Sequence, residues 1–305
     1  MLSISTAWNY RPDMNVAAAL EEIKSLGLTR IELGYRLRQD QLAQVMDLLK
    51  PMGLSVSSAH NFCPLPDDHP SPRHPSNYYR MSSLDEQERK RAVMWTKKCV
   101  DTAVKADGKV VVIHAGMIEI PQDPSRDLIA LYKDGQNNTP AFADKRTLLI
   151  KLREQSKPPF MDALIKSLDE VVDYAQSKNI RIGLETRYYP FEMPNYEEVQ
   201  ILLDRYHKKG MWYWHDTGHA EANHRLGLTD HADFLKTYHN RLAGFHIHGM
   251  RVMRDHLAPF DGDFDMGVVL PYINAKTINV VESHHYASFD QIKAAIVQLK
   301  QKIAQ

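Results

Sequence analysis

Apolar positions along this chain follow two patterns that take turns from end to end. Short β-branched or apolar runs at 2–6, 30–33, 55–59, 109–114, 181–185, 211–214, 242–247 and 279–282 predict eight strands. Between them, apolar residues recur three and four positions apart, which predicts helices. These are VAAALEEIKSLG, DQLAQVMDLLK, a long one from about Leu84 to Lys105, MDALIKSLDEVVDYAQSK, NYEEVQILLDRYHK, LTDHADFLKTYH, MGVVLPYINA and SFDQIKAAIVQLKQK. Asn195 and Ser288 stand where N-caps belong, and the glycines of SLGL and KPMGL stand where helices stop.

Alternation of this kind implies parallel strands joined by right-handed crossovers, and eight units favour a closed (β/α)8 TIM barrel over an open sheet. An open sheet more often begins with a glycine-rich phosphate turn, and neither GxGxxG nor GxxxxGK[ST] occurs here. We therefore expect an α/β chain with a parallel eight-stranded barrel, forming one domain over residues 1–305. Two segments break the rhythm: Asn61 to Ser82, rich in proline, histidine and aspartate, and the polar stretch from Met117 to Pro159. They follow strands three and four, so they should be long substrate-covering loops over the catalytic face, with room for short helices of their own.

Composition narrows the function. Thirty-eight basic residues balance thirty-eight acidic ones, which gives no global electrostatic case for nucleic acid or an anionic membrane. Cys63 and Cys99 are too few for a disulfide framework or a thiolate zinc site. No leader-like segment or long apolar span is present, and a cytoplasmic location is expected. Oligomeric state is left open.

The candidate chemistry lies at the strand ends. Glu185 (RIGLETR), Asp216 and His219 (WYWHDTGHA), His246 (GFHIHG) and Glu282 (NVVESHH) would all meet at one mouth of a barrel. A carboxylate ending an apolar buried strand is costly unless it meets a cation, and carboxylates mixed with imidazoles suit a divalent metal. A turn at Gly218 would bring Asp216 and His219 to one site. Of His246 and His248 only one need be a ligand. His60 and His114 end strands three and four, where they would contact substrate or a second metal. Of His284 and His285 at most one should face the mouth. His69, His74, His207, His231 and His239 read as solvated.

These motifs, running from IELGY to VVES and including GLETR, DTGHA, HIH and DHL, resemble the xylose isomerase-like barrel superfamily. Within it they resemble the sugar (phosphate) isomerase/epimerase group, which also includes inosose dehydratases and endonuclease IV-type AP endonucleases. The resemblance implies an enzyme of carbohydrate metabolism acting on a small sugar, holding one Mn, Mg, Co or Zn ion through Glu185, Asp216, His246 and Glu282. It implies Glu185 and Glu282 as acid and base around a cis-enediolate, with His60, His114, Arg187, His219 and His256 around the substrate. Arg187 has a second reading, as a salt bridge that orients Glu185. An inosose dehydratase-like lyase would use the same enolate. An endonuclease IV-type trinuclear zinc site is the other reading: His60, His114, Glu185, Asp216, His219, His246, His256 and Glu282 all fit its pattern. Arg254 stands where a zinc-binding aspartate is expected, Asp255 could substitute only through a register change, and with the neutral net charge this weighs against the trinuclear reading.

Overall fold

A computed structural model describes residues 2–13, 15–68 and 74–304; of the residues discussed above, His69 lies outside these. Eight parallel strands close into a barrel: β1 (Leu2–Ser5), β2 (Arg30–Leu33), β3 (Ser55–His60), β4 (Val110–Ile113), β5 (Arg181–Glu185), β6 (Met211–Asp216), β7 (Leu242–Ile247) and β8 (Ile278–Val281). Each pairs with its neighbour in sequence, and β8 pairs with β1 to close the ring. The expected strands all form, with ends shifted by a residue or two.

Around them lie α1 (Val16–Ser25), α2 (Gln39–Leu49), α3 (Glu86–Lys105), α4 (Ser125–Lys133), α5 (Pro140–Ser177), α6 (Tyr196–Tyr206), α7 (Thr217–Arg225), α8 (His231–Tyr238) and α9 (Phe289–Ile303). Local chemistry sets several of these ends. Asn195 and Ser288 each form capping boxes with Glu198 and Gln291, satisfying first-turn N–H groups that have no intrahelical partner.

Two expectations are corrected. The stretch from Met117 to Pro159 is largely helical: α4 and the first half of the 38-residue α5 fill it, and α5 runs through Pro158 and Pro159. Paired prolines argue against a helix in sequence, but Phe142, Leu149, Arg153, Phe160, Leu164 and Leu168 make one buried stripe along it, and that burial outweighs the lost backbone bonds. Its N-terminal half packs with α4 against Tyr188, Leu226, Met250 and Met253, above the barrel rather than on its wall. The helix expected over MGVVLPYINA is instead two short 3-10 turns, 266–268 and 270–272, because Pro271 cannot donate a backbone N–H.

Beneath the strand ends the barrel interior holds an apolar layer. Trp214 is fully buried there with Val110, Val112, Ala243, Ile278 and Val280. Gly244 makes room for it, since a Cβ at that position would lie 2.7 Å from the indole and 2.5 Å from the Ile278 carbonyl. This indole is the floor on which the polar mouth stands.

Candidate active site

At the C-terminal mouth, Glu185 and Asp216 end β5 and β6, His246 lies one residue from the end of β7, and Glu282 follows β8. All four are at most 1% exposed. His246 Nδ1 lies 2.7 Å from Glu185 Oε1, 3.0 Å from Glu282 Oε2 and 3.9 Å from Asp216 Oδ2. Its ring stands over Trp214, with centroids 5.2 Å apart. Three carboxylates around one imidazole nitrogen, away from water, need positive charge among them.

The hydrogen bonds of the histidines show which nitrogen each presents to the site. His219 Nδ1–H donates to the Thr186 carbonyl at 2.9 Å, and His60 Nδ1–H donates to the Asn61 carbonyl at 2.9 Å. Asn77 Nδ2–H donates to Glu192 (3.2 Å), so its Oδ1 accepts from His114 Nδ1–H (3.2 Å). In each case an outer acceptor takes the proton and the Nε2 lone pair faces inward. His114 Nε2 then lies 2.7 Å from Glu185 Oε2, and two lone pairs that close attract only with a proton or metal ion between them. His114 Nε2, His256 Nδ1 and Glu282 Oε1 are buried without a hydrogen-bond partner. This donor set, nitrogen and oxygen with lone pairs converging, fits a divalent ion.

His248 has the opposite polarity. The backbone N–H of His256 donates to its Nδ1 at 2.9 Å, which obliges Nε2 to carry the proton and donate to Asp216 at 3.0 and 3.1 Å. Although Asp216, His219, His248 and His256 lie close enough together to hold an ion, His248 already serves as a donor that fixes the Asp216 carboxylate. Of the two histidines in HIHG, it is His246 that turns Nδ1 to the carboxylates, 2.7 Å from Glu185 and 3.0 Å from Glu282.

Burial and charge act in opposite directions here. Burial would raise the Glu185, Asp216 and Glu282 carboxyls, but neighbouring imidazoles outweigh it and hold all three low. Burial opposes a charged His246, yet Glu282, Glu32 and Glu185 together keep it well above the ordinary imidazole range. His114 goes the other way: burial, then Arg187, push it down to about 3.

Asp216 caps α7, accepting the His219 backbone N–H at 2.7 Å. A helix N-terminus, rather than a glycine turn, therefore brings His219 beside Asp216. Arg187 donates to Glu185 (2.8 Å) and Glu192 (2.9 Å), so both terminal nitrogens are engaged, in the salt-bridge arrangement. Arg254 lies over the Tyr286 ring, 4.1 Å from its centroid. Its neighbour Asp255 faces the site instead, 3.1 Å from His256 and 3.7 Å from His219. The Arg254 argument against further metal ligands therefore loses its force, because the backbone presents the next residue.

The cavity above these groups measures about 620 Å3. The loop after β3 contributes His74 and Asn77 to its wall, and α4 contributes Ile129 and Lys133. His284 stacks on His256 with centroids 4.0 Å apart, while His285 lies in a separate surface recess. His74 is exposed, as expected, and stands at the rim of this cavity, where it hydrogen-bonds Ser76. His231 is a clear correction: it is buried, 3.0 Å from His215 and 3.1 Å from Glu221, because α8 turns its first residue inward onto the barrel. His207 and His239 sit at the outer ends of their helices, partly and fully exposed. Sequence reasoning missed Glu32, fully buried on β2 and 3.2 Å from His246 Nε2. The signal was available, since Glu32 is a carboxylate between Ile31 and Leu33 on an apolar strand.

The sequence matches the xylose isomerase-like TIM barrel family over residues 20–296. The chain belongs to that family. No curated protein matches it. Among solved structures, an L-ribulose 3-epimerase superposes with a TM-score of 0.67 at 14% identity, covering 99% of this chain and 94% of the other. A D-allulose 3-epimerase from Methylomonas sp. in complex with D-allulose gives 0.67 at 15% identity, covering 99% and 96%. A D-tagatose 3-epimerase-like protein gives 0.65 at 17% identity, covering 99% and 96%. At these identities the likeness establishes the fold. Among the described residues, no helix is long and apolar enough to cross a membrane.

Proposed function

We propose that this protein is a divalent-metal-dependent enzyme that isomerises or epimerises a small sugar or sugar phosphate by moving a proton beside the carbonyl through a cis-enediolate. The observation that carries this reading is the approach of both Glu185 and Glu282 to His246 Nδ1, at 2.7 and 3.0 Å, at the floor of the polar cavity in the barrel mouth. The likeness to sugar 3-epimerases supports it. So does the closeness of the His60, Glu185, His246 and Glu282 ligand atoms, which all lie within 4.8 Å of one another.

Glu185, Asp216, His246 and Glu282 would hold one ion of Mn, Mg, Co or Zn type. When bound, such an ion supplies Lewis-acid polarisation of a sugar carbonyl and an adjacent hydroxyl. The protein residues do the rest. Glu185 and Glu282 exchange the proton at carbon, one as base on one face and the other as acid on the opposite face. Arg187 fixes the Glu185 carboxylate for that exchange. His219, with its Nε2 lone pair turned to the cavity, accepts a substrate hydroxyl proton in a hydrogen bond, and His60, His114 and His256 line the same space. Trp214 seals the far side against water. A cytoplasmic role in carbohydrate metabolism goes with this reading.

Metal analysis of protein purified without chelator should give about one equivalent of a divalent ion. In D2O, a ketose substrate should take up deuterium at the carbon beside the carbonyl. A Glu282→Gln variant that exchanged at the parental rate would remove Glu282 from acid–base chemistry. An inosose dehydratase-like lyase would release water from the same enolate, which product analysis distinguishes.

A second reading, phosphodiester hydrolysis at abasic sites by an endonuclease IV-type centre, is favoured by one observation. Asp255 stands beside His219 and His256, supplying the carboxylate that Arg254 had seemed to replace. About three zinc ions per chain and cleavage of an abasic oligonucleotide would establish it over the sugar reading.

A further inference from the structure

Glu32 has no part in the proton transfer described above, yet it is fully buried in the barrel directly behind the site. Both its carboxylate oxygens lie 3.2 Å from His246 Nε2. Ser58 Oγ–H donates to Oε2 at 2.7 Å. Among the described residues no lysine or arginine forms an ion pair with it. A carboxylate kept buried on these two donors alone is expensive, and such groups persist where they hold something in place.

What it holds is the direction of the His246 ring. A carboxylate in this state only accepts, so Nε2 must carry a proton towards Glu32. That leaves Nδ1, on the opposite edge, to face Glu185, Glu282 and Asp216. When a cation displaces the proton from Nδ1, Glu32 keeps the remaining one on Nε2; without Glu32 that proton is free to return to Nδ1 and compete directly with the metal ion. Ser58 extends the chain one step by fixing the carboxylate in turn.

We propose that Glu32 is a positioning residue for the metal site: it fixes His246 with its Nδ1 lone pair available to a divalent cation. This rests on the metal-dependent reading above but assigns a residue that reading does not use. Carboxylate partners of metal-binding histidines typically account for 10–100-fold in affinity. The full-length protein, stripped by chelation, can be titrated with Mn2+ and free Mn2+ followed by its electron paramagnetic resonance signal. Glu32→Leu should weaken binding by about 10–100-fold. Glu32→Gln, which keeps an acceptor oxygen, should recover part of that loss, and Ser58→Ala should cost a few-fold. Glu119→Gln, removing a negative charge from the exposed rim, should leave the affinity unchanged and so separates positioning from bulk electrostatics. Co2+ bound to Glu32→Gln should show a shifted visible spectrum, a change that a purely structural role would not produce.

Binding by Glu32→Leu and Glu32→Gln within two-fold of the parent would overturn the proposal while leaving the metal-dependent reading intact. Failure of the parent protein to bind Mn2+ saturably would overturn both. If Glu32→Leu does not fold, Glu32→Gln and Ser58→Ala decide the matter.

Discussion

Replacing Gly218 by alanine should destabilise this protein, against the usual sign of that substitution. Gly218 is the second residue of α7, and alanine in a helix is ordinarily better than glycine by about 1 kcal/mol. Here an added Cβ would fall 2.2 Å from His248 Cε1, 2.8 Å from its Nδ1 and 3.2 Å from the Asp255 Cβ. The imidazole cannot swing aside cheaply, because both nitrogens are engaged, one by the His256 N–H and the other by Asp216. Overpacking costs about 1–3 kcal/mol, and losing a hydrogen bond to a charged group costs about 1.5–3 kcal/mol. Even the lower ends of those ranges exceed the helical gain, leaving a net loss of roughly 1.5–5 kcal/mol. Thermal unfolding of metal-free protein followed by circular dichroism should show a fall in Tm of at least about 2 °C. Mn2+ affinity should fall as well, since Asp216 loses its donor. A Gly218→Ala protein that unfolds at or above the parental temperature would refute the packing argument and the assignment of His248 as a fixed donor.

Three further outcomes follow from the structure. Arg153 is buried against Glu198 at 2.6 and 2.9 Å, so Arg153→Ala should cost about 3–5 kcal/mol by stranding that carboxylate, and the Arg153→Met, Glu198→Leu double variant should recover much of it in chemical denaturation. His114, held neutral down to about 3, leaves the folded state with fewer protons than the unfolded one between that pH and 6.5, so its contribution is complete above 6.5 and lost as pH falls. His114→Gln should therefore flatten the acid loss of stability over that window by at most roughly 5 kcal/mol, read from urea midpoints at several pH values. Mn2+ at one hundred times its Kd should stabilise the chelated protein by about 2.7 kcal/mol; an unchanged Tm would count against a metal site.

The barrel was legible because burial on both faces leaves its strands as apolar runs, and the site because carboxylates and imidazoles interrupt those runs where they end. Glu32 obeys the same rule as Glu185, but it lies inside its strand rather than at the end, and nothing in IELGY shows that its side chain turns to His246. His231 was misread since a histidine after an N-cap aspartate looks solvated, and only the tertiary arrangement brings His215 to it. Tautomers were out of reach altogether: what sets His248 apart from His246 is a backbone N–H eight residues away in sequence. The stretch before Pro158 was misjudged because its buried stripe depends on a surface, formed by Tyr188 and Met253, that the sequence does not place.

The single helix α5 has an engineering consequence. Its second half belongs to the barrel wall and its first half, with α4, stands beside the mouth, so one continuous helix joins the two. A mouth built this way is not a flap hinged on its own loop. Substrate preference should therefore be portable: residues 118–157 form a cassette joined to the barrel by a helical splice near Pro158 and Pro159, and exchanging it would recut the entrance while leaving Glu185, Asp216, His246 and Glu282 on strands it does not touch.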